Sequence, residues 1–189
     1  MQTNLLWTGI EYYSLENCLV NTGNTGNEIS SNIIGCFEQK IYSVAYFIET
    51  DINWQTRFLE INYRINNKEN KITLQKDACN NWLFNNSRTD LFEHCIDVDI
   101  SVTPFTNSLP VNRLKLLREQ EAKINVIYIN IFEQQVKALQ QTYQRLSDGK
   151  FLYKNFPNDF EAEIEVDMYG FVINYPSLFK RTTIIQTIE

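Results

Sequence analysis

Apolar and polar residues alternate over several segments of this chain, which is the pattern of strands with one buried face. In Ile96–Thr103 every second residue is Ile or Val, and the residues between them are Asp, Ser or Thr. Glu161–Asp167 repeats the pattern with acidic residues on its polar face. The same reasoning predicts further strands at Ile41–Thr50, Gln55–Ile65, Ile72–Gln75, Phe151–Tyr153 and Phe171–Tyr175. The sequence therefore predicts a mainly β protein.

Two turn sequences resemble each other. Asp77-x-x-Asn80-x-Trp82 and Asp167-x-x-Gly170-x-Val172 each follow an alternating segment. Because Asn and Gly tolerate positive φ, we interpret both as hairpin turns. Two turns alone do not establish an internal duplication.

Two segments depart from the alternation. Ile124–Phe132 is apolar on both faces, so it requires cover on both sides or a cavity on one of them. It reads equally well as a central strand beneath a helix and as the wall of a pocket. In Phe132–Leu146 the apolar residues recur at spacings of four and three, which from periodicity alone predicts an amphipathic helix.

The overall charge disfavours two classes of partner. With a formal net charge of -6 and a pI near 4.9, the chain has no basic surplus for a nucleic-acid backbone or an anionic membrane surface. No stretch approaches the roughly 18 apolar residues of a membrane span, so we expect no stable membrane insertion. Residues 1–13 lack the pattern of a signal peptide. We therefore expect a single domain, 1–189, in the cytoplasm, with its four irregularly spaced cysteines reduced.

Histidine chemistry is limited to one residue. His94 is the only histidine, which excludes a site with several histidine ligands. Its neighbours Glu93 and Cys95 would point to the opposite face of a strand, so neither is a natural hydrogen-bond partner. We interpret His94 as a surface or structural residue, and we expect no metal and no cofactor.

Charged residues on predicted strands suggest an ion pair or a ligand contact. Asp97 and Asp99 share one strand face, where they could repel each other, bind a hard cation, pair jointly with an arginine or simply face solvent. In an uninterrupted strand Gln55–Ile65, Arg57 would lie on an apolar face and would need a partner. The partner would be Asp97 or Asp99, or the anionic head of a ligand.

The segment Thr103–Pro110 is irregular in sequence and carries two prolines. Structurally it predicts a shaped crossover between regular elements. Its hydroxyl and amide groups would also suit a sugar or another polar headgroup beside an aromatic wall.

Several motifs together resemble the putative glycolipid-binding family, a bacterial family, over nearly the whole chain. The motifs are Trp7-x-Gly9, Asp51-x-x-Trp54-Gln55-Thr56-Arg57, Cys95–Asp99 leading to Thr103–Pro110, Val166-Asp167-x-x-Gly170, and Tyr175–Arg181. The resemblance implies a strongly curved antiparallel sheet forming an open or spouted β-barrel with at most one or two short helices. The fold would be similar to that of bacterial lipoprotein carriers, whose concave face takes acyl chains. It also implies an extended conformation for Phe132–Leu146, so helix and strand both stay open there.

The leading hypothesis is non-catalytic binding of a lipid or glycolipid-like amphipathic ligand in the groove of the curved sheet. An enzyme using Asp97, Asp99 or His94 in the same hollow is the alternative, and a structural domain without a ligand is a third. The candidate ligand-binding residues are Trp54, Arg57, Asp97, Asp99, Thr103, Phe105, Thr106, Asn107, Arg113, Tyr128 and Tyr175.

Overall fold

Strands dominate the computed structural model, which describes residues 1–156 and 159–187. The elements in chain order are β1 (Gln2–Gly9), β2 (Ser14–Thr22), β3 (Gly26–Phe37), β4 (Lys40–Asp51), β5 (Thr56–Ile65), β6 (Lys68–Lys76), β7 (Trp82–Phe84), β8 (Ser87–Arg88), β9 (Asp97–Ile100), α1 (Phe105–Leu114), β10 (Glu121–Asn130), β11 (Gln135–Ser147), β12 (Lys150–Phe156), β13 (Phe160–Val166), β14 (Val172–Tyr175) and β15 (Phe179–Thr187). The predicted mainly β class is confirmed.

All strands belong to one open, strongly curved sheet. Strands β1 to β8 form one antiparallel meander, and β10 to β15 form another. Pairing of β15 with β1 joins the two meanders. Strand β9 is the exception to the antiparallel pattern, because it runs parallel to β10 and the chain between them passes through α1. The sheet therefore has two edges, β8 and β9.

The strand pair β9 and β10 has apolar cover on its back face. Ile127 and Ile129 are fully buried there, in the same cluster as Leu5 and Ile61 from the first meander. On the front face of β10 lies Tyr128, which lines a cavity. The doubly apolar segment Ile124–Phe132 thus has a covered back and a front that forms part of a cavity wall.

Segment Phe132–Leu146 contains most of a strand, so the helix predicted from periodicity is wrong there. Strand β11 pairs along its length with β10 and β12, for example Leu139 with Val126 and Tyr143 with Tyr153. Leu139 and Tyr143 lie on the inward face of the strand with Gln141 between them, whereas the spacings of three place Val136 and Leu146 on the opposite face. Pairing with neighbours on both sides overrode the local helical signal.

The segment Thr103–Pro110 was expected to be irregular, but most of it is helical. Helix α1 begins at Phe105, and its first seven residues are buried. The N-cap residue, Pro104, provides no side-chain cap, but the backbone N–H of Phe105 donates to Oγ1 of Thr103 at 3.0 Å, so one free donor of the first turn is satisfied. Pro110 lies inside the helix, where it removes one backbone donor. Burial against the sheet therefore outweighs the unfavourable local sequence.

Three turns at the same end of the strands share one geometry. In each, an aspartate Oδ1 accepts hydrogen bonds from the backbone N–H groups two and four residues ahead, at 2.8 to 3.0 Å. The turns begin at Asp51, Asp77 and Asp167, and their positive-φ residues are Trp54, Asn80 and Gly170. The similarity seen between two of these turns in the sequence is thus a common hydrogen-bonding design.

Candidate functional site

A cavity of about 330 Å³ lies at the other end of the strands, between the β9–α1 connection and the hollow of the second meander. Its aromatic lining is Tyr12, Tyr128, Tyr153, Phe160, Tyr175 and Phe179. Its polar lining is Glu11, Asp99, Ser101, Thr103, Asn107 and Asn155. Aromatic walls with a few placed polar groups are typical of small-molecule sites. We call this space the tyrosine cavity.

Asp99 is the most deeply placed charged group of the tyrosine cavity. Its Oδ1 accepts a hydrogen bond from Thr106 Oγ1 at 3.1 Å, and its Oδ2 accepts one from Gln141 Nε2 at 2.6 Å. Burial raises the pKa of its carboxyl, while these two hydrogen bonds oppose the rise. Strand β9 brings Asp99 to this position because its parallel register places it beside Tyr128.

Burial and the charge of Asp99 together raise the pKa values of three tyrosines in the cavity wall. Burial raises the pKa of Tyr128 to about 12, and the nearby Asp99 carboxylate adds to the effect. The pKa values of Tyr153 and Tyr175 rise well above the ordinary value for the same two reasons. These phenols therefore stay neutral, and they can donate hydrogen bonds at physiological pH.

Two polar atoms in the cavity wall have no hydrogen-bond partner among the described residues. They are Oδ1 of Asn155 and Oγ of Ser101. Asn155 is 7% exposed and sits two residues after Tyr153 on the inward face of β12. Since buried polar atoms are normally paired, these atoms indicate a place where a ligand or water supplies the partner.

Asp97 faces the same way as Asp99 but is satisfied internally. Both of its oxygens accept hydrogen bonds from the guanidinium of Arg113, and Asp97 is fully buried. Burial raises the pKa of Asp97, and the pairing with Arg113 opposes that rise. Neither residue lines the tyrosine cavity, so this ion pair anchors α1 to β9 instead.

Arg57 lies at the opposite end of the strands from the cavity. Its guanidinium donates to Oδ2 of Asp51 and to Oδ1 of Asn80, each at 2.8 Å, which links two of the aspartate turns. The expected partners Asp97 and Asp99 are not involved. Arg57 is the extra residue of a bulge in the pairing of β4 with β5, so the parity argument that placed it on an apolar face fails.

The remaining candidate residues divide between the cavity and the interior. Thr103, Asn107, Tyr128 and Tyr175 line the cavity together with Asp99. Thr106 does not line it but orients Asp99. Phe105 is fully buried in the core, and Trp54 packs edge-on against Phe171 near the aspartate turns. His94 is exposed and is not part of the lining.

Several cavity residues were not found from the sequence. Tyr12 lies in the turn between β1 and β2, and Asn155 ends a short inward-facing series on β12. The alternation Phe151, Tyr153, Asn155 was the only signal available for the second of these. Nothing local distinguishes Tyr12 from its exposed neighbour Tyr13.

A third buried carboxylate, Glu16, was not predicted from the sequence. It lies on the inward face of β2, and its Oε1 accepts hydrogen bonds from Ser31, Tyr46 and Thr103 at 2.7 to 2.9 Å. Its Oε2 has no partner among the described residues. Burial raises the pKa of Glu16 to about 7, against the effect of the three hydrogen bonds. Through Thr103 this group contacts the wall of the tyrosine cavity.

Within residues 1–156 and 159–187, no cluster of three or more His, Cys, Asp or Glu side chains is arranged to hold a metal ion. In the same part of the chain, no helix has both the length and the apolar character needed to cross a bilayer.

Comparisons with other proteins agree with the fold. A DUF1089 family protein from Pseudomonas aeruginosa, solved by crystallography, superposes with a TM-score of 0.78 at 28% identity, covering 88% of this chain and 91% of that one. No curated protein matches the sequence. The family model described as "Putative glycolipid-binding" matches residues 4–181. The chain therefore belongs to the putative glycolipid-binding family.

Proposed function

We propose that this protein binds a lipid or glycolipid-like amphipathic ligand without transforming it, and that the ligand's polar head occupies the tyrosine cavity. The observation that carries the proposal is the pairing of aromatic walls with the unpartnered polar atoms of Ser101 and Asn155. Aromatic faces contact the apolar faces of a head group, and such polar atoms exchange hydrogen bonds with its substituents. The family description supports the same class of ligand.

The size of the cavity supports a head-group site rather than a site for a complete lipid. A volume of about 330 Å³ is at the small end of ligand pockets, which span roughly 300 to 1,000 Å³. We propose that the apolar tail runs outward along an aromatic rim. Tyr12 lines the cavity and also packs against Phe37 at 5.1 Å and Phe132 at 6.1 Å between ring centroids. Each tail methylene buried there would contribute about 0.8 kcal/mol.

The enzymatic alternative has less support. Asp97 is held by Arg113, and His94 is exposed outside the lining, so Asp99 is the only one of the three suggested acid–base groups that faces the cavity. General acid–base chemistry on a bound substrate ordinarily uses positioned partners for proton transfer and for charge stabilisation. We therefore favour binding over catalysis.

Native mass spectrometry of freshly purified protein, followed by lipid extraction, tests the proposal. We expect a bound amphiphile, and we expect Tyr128→Ala to retain less of it, because the change removes a half-buried wall of the cavity. A lost aromatic contact of about 0.5 to 1.5 kcal/mol corresponds to roughly 2- to 10-fold weaker binding. Tyr13→Ala is the matched control, since Tyr13 is 79% exposed and lies outside the lining.

Two outcomes would contradict the proposal. One is protein that carries no amphiphile and also fails to bind added alkyl glycosides. The other is equal loss of ligand in Tyr128→Ala and Tyr13→Ala, which would place binding away from the cavity.

A further inference from the structure

We infer that the tyrosine cavity selects a head group that carries a positively charged amine. This inference rests on the proposed function, because it specifies the ligand of the same site. Among the described residues that line the cavity are two carboxylates, Glu11 and Asp99, and no Lys, Arg or His. A cationic ligand would supply a positive charge complementary to these two carboxylates.

Asp99 has no cationic partner among the described residues, unlike three of the other buried or partly buried aspartates; the fourth, Asp77, accepts hydrogen bonds from the N–H groups of its own turn. Asp97 pairs with Arg113, Asp51 with Arg57, and Asp167 with Arg181. The side-chain partners of Asp99 are two neutral groups, the Thr106 hydroxyl and the Gln141 amide. Both of its oxygens accept hydrogen bonds, as an ionised carboxylate does, and a positively charged ligand group would be its counter-ion.

Three aromatic rings of the cavity wall near Asp99 pack against one another at an angle. Tyr153, Phe160 and Tyr175 all line the cavity, and their ring centroids lie 6.1 to 6.2 Å from one another. The three rings are mutually inclined by 54 to 73°, so they form a corner rather than a flat stack. Inclined aromatic rings around a site recognise ammonium groups through cation–π attraction.

Asn155 provides an independent observation that points to a ligand. It is 7% exposed, it lines the cavity, and its Oδ1 has no partner among the described residues. A carbonyl oxygen accepts hydrogen bonds, so it matches an N–H donor of the ligand. Asp99 and Asn155 together therefore offer acceptors to a head group that brings donors and positive charge.

The same charges argue against an anionic head. A phosphate or sulfate in the cavity would lie near Asp99, and no cation among the described lining residues would offset the repulsion. The sequence suggested that Arg57 could hold an anionic head, but its guanidinium is engaged at the opposite end of the strands. The preferred order of heads is therefore ammonium, then neutral, then anionic.

Three probes with the same octyl tail test this order: octyl 2-amino-2-deoxy-glucoside, octyl glucoside and octyl phosphate. Their binding to the whole protein would be measured calorimetrically at pH 7, below their micelle concentrations. We expect the amine to bind at least 10-fold more tightly than the neutral glucoside, and octyl phosphate to bind most weakly. Raising the salt concentration should narrow the difference between amine and glucoside.

Two variants test whether Asp99 causes the preference for the amine. Asp99→Asn should reduce the ratio of amine to glucoside affinity toward one, because it removes the counter-ion. The control Asp90→Asn changes an exposed aspartate outside the lining and should keep the wild-type ratio. If Asp99→Asn does not fold, the affinities of the wild-type protein for the three probes still test the amine selectivity.

The outcomes separate this inference from the proposed function. Glucoside binding as tight as amine binding, or phosphate binding tighter than either, overturns the amine selectivity and leaves amphiphile binding standing. Failure of all three probes to bind overturns both. An unchanged ratio in folded Asp99→Asn shows that Asp99 is not the selecting group and overturns the assignment.

Discussion

Oγ1 of Thr103 donates a hydrogen bond to Oε1 of Glu16 at 2.9 Å, although the two residues are 87 positions apart. The bond joins strand β2 to the connection between β9 and α1, which forms part of the cavity wall. Ser31 and Tyr46 donate to the same carboxyl oxygen. The first meander thus holds the cavity wall in place through one buried acid.

The first prediction concerns the pH dependence of stability caused by Glu16. Burial raises its pKa from 4.5 to about 7, so between these values the unfolded chain has released a proton that the folded protein keeps. This contribution lowers the free energy of unfolding as pH rises through the window, by about 3 kcal/mol in total. Between pH 4.5 and pH 7.5, the free energy of unfolding of Glu16→Gln should therefore fall by about 3 kcal/mol less than that of the wild type, as measured by urea unfolding.

Glu28→Gln is the matched control, because Glu28 is exposed on the neighbouring strand β3. It should keep the wild-type dependence on pH. A Glu16→Gln variant with the same decline as the wild type would contradict the assignment of a raised pKa to Glu16.

The second prediction contrasts two arginines. Arg113→Ala leaves the fully buried Asp97 without its partner and should destabilise the protein by about 3 to 5 kcal/mol. Arg57→Ala removes an ion pair whose arginine side chain is 42% exposed, and it should cost about 1 kcal/mol or less. Urea midpoints of both variants measure the difference. Equal losses of stability in the two variants would contradict the prediction that the buried ion pair contributes more than the exposed one.

The third prediction concerns the turn that begins at Asp167. Its Oδ1 accepts two backbone hydrogen bonds, and its Oδ2 pairs with Arg181, whose side chain is 10% exposed. Asp167→Ala should cost roughly 3 kcal/mol, because two amides and one guanidinium lose their acceptor. Asp167→Asn keeps an acceptor for the amides and should cost less. Thermal unfolding compares them, and an Asn variant as unstable as the Ala variant would mean that the amide bonds contribute nothing.

The fourth prediction concerns the four thiols. Cys36 and Cys79 are exposed, whereas Cys18 and Cys95 are buried, and burial raises the pKa of Cys95 to about 11 and also raises that of Cys18. Because the thiolate is the reactive form, Ellman's reagent should label the exposed pair quickly in native protein. The buried pair should react only after denaturation. Two or fewer reactive groups under denaturing, non-reducing conditions would refute the expectation of reduced cysteines.

Local patterning was sufficient for most of the strands. Glu161–Asp167 and Gln55–Ile65 match β13 and β5 to within a residue at each end, because side chains on a strand with one buried face must alternate. The aspartate turns at Asp77 and Asp167 could also be predicted, because their hydrogen bonds are formed within a few residues of sequence. An Asp followed three residues later by a residue that tolerates positive φ satisfies the turn by itself.

The cavity was only partly accessible from the sequence. Asp99 and Tyr128 were candidates, and the parallel register of β9 with β10 brings them side by side. Tyr12 and Asn155 come from distant parts of the chain, and no local pattern reports that the curved sheet turns them toward the same space. Curvature depends on how many strands pair and in which order, so it is a property of the whole sheet.

The tertiary structure also decided between competing local signals. The apolar spacing from Phe132 to Leu146 allowed a helix, but β10 and β12 supply hydrogen-bonding partners that only a strand can use. Conversely, the sequence around Pro110 disfavours a helix, yet burial of α1 against the sheet stabilises one. The partner of Arg57 changed from Asp97 or Asp99 to Asp51 because a single bulge displaced it from the expected face. Alternation along a strand is a local steric consequence of the backbone, whereas partners, bulges and cavities depend on contacts between segments that are distant in sequence.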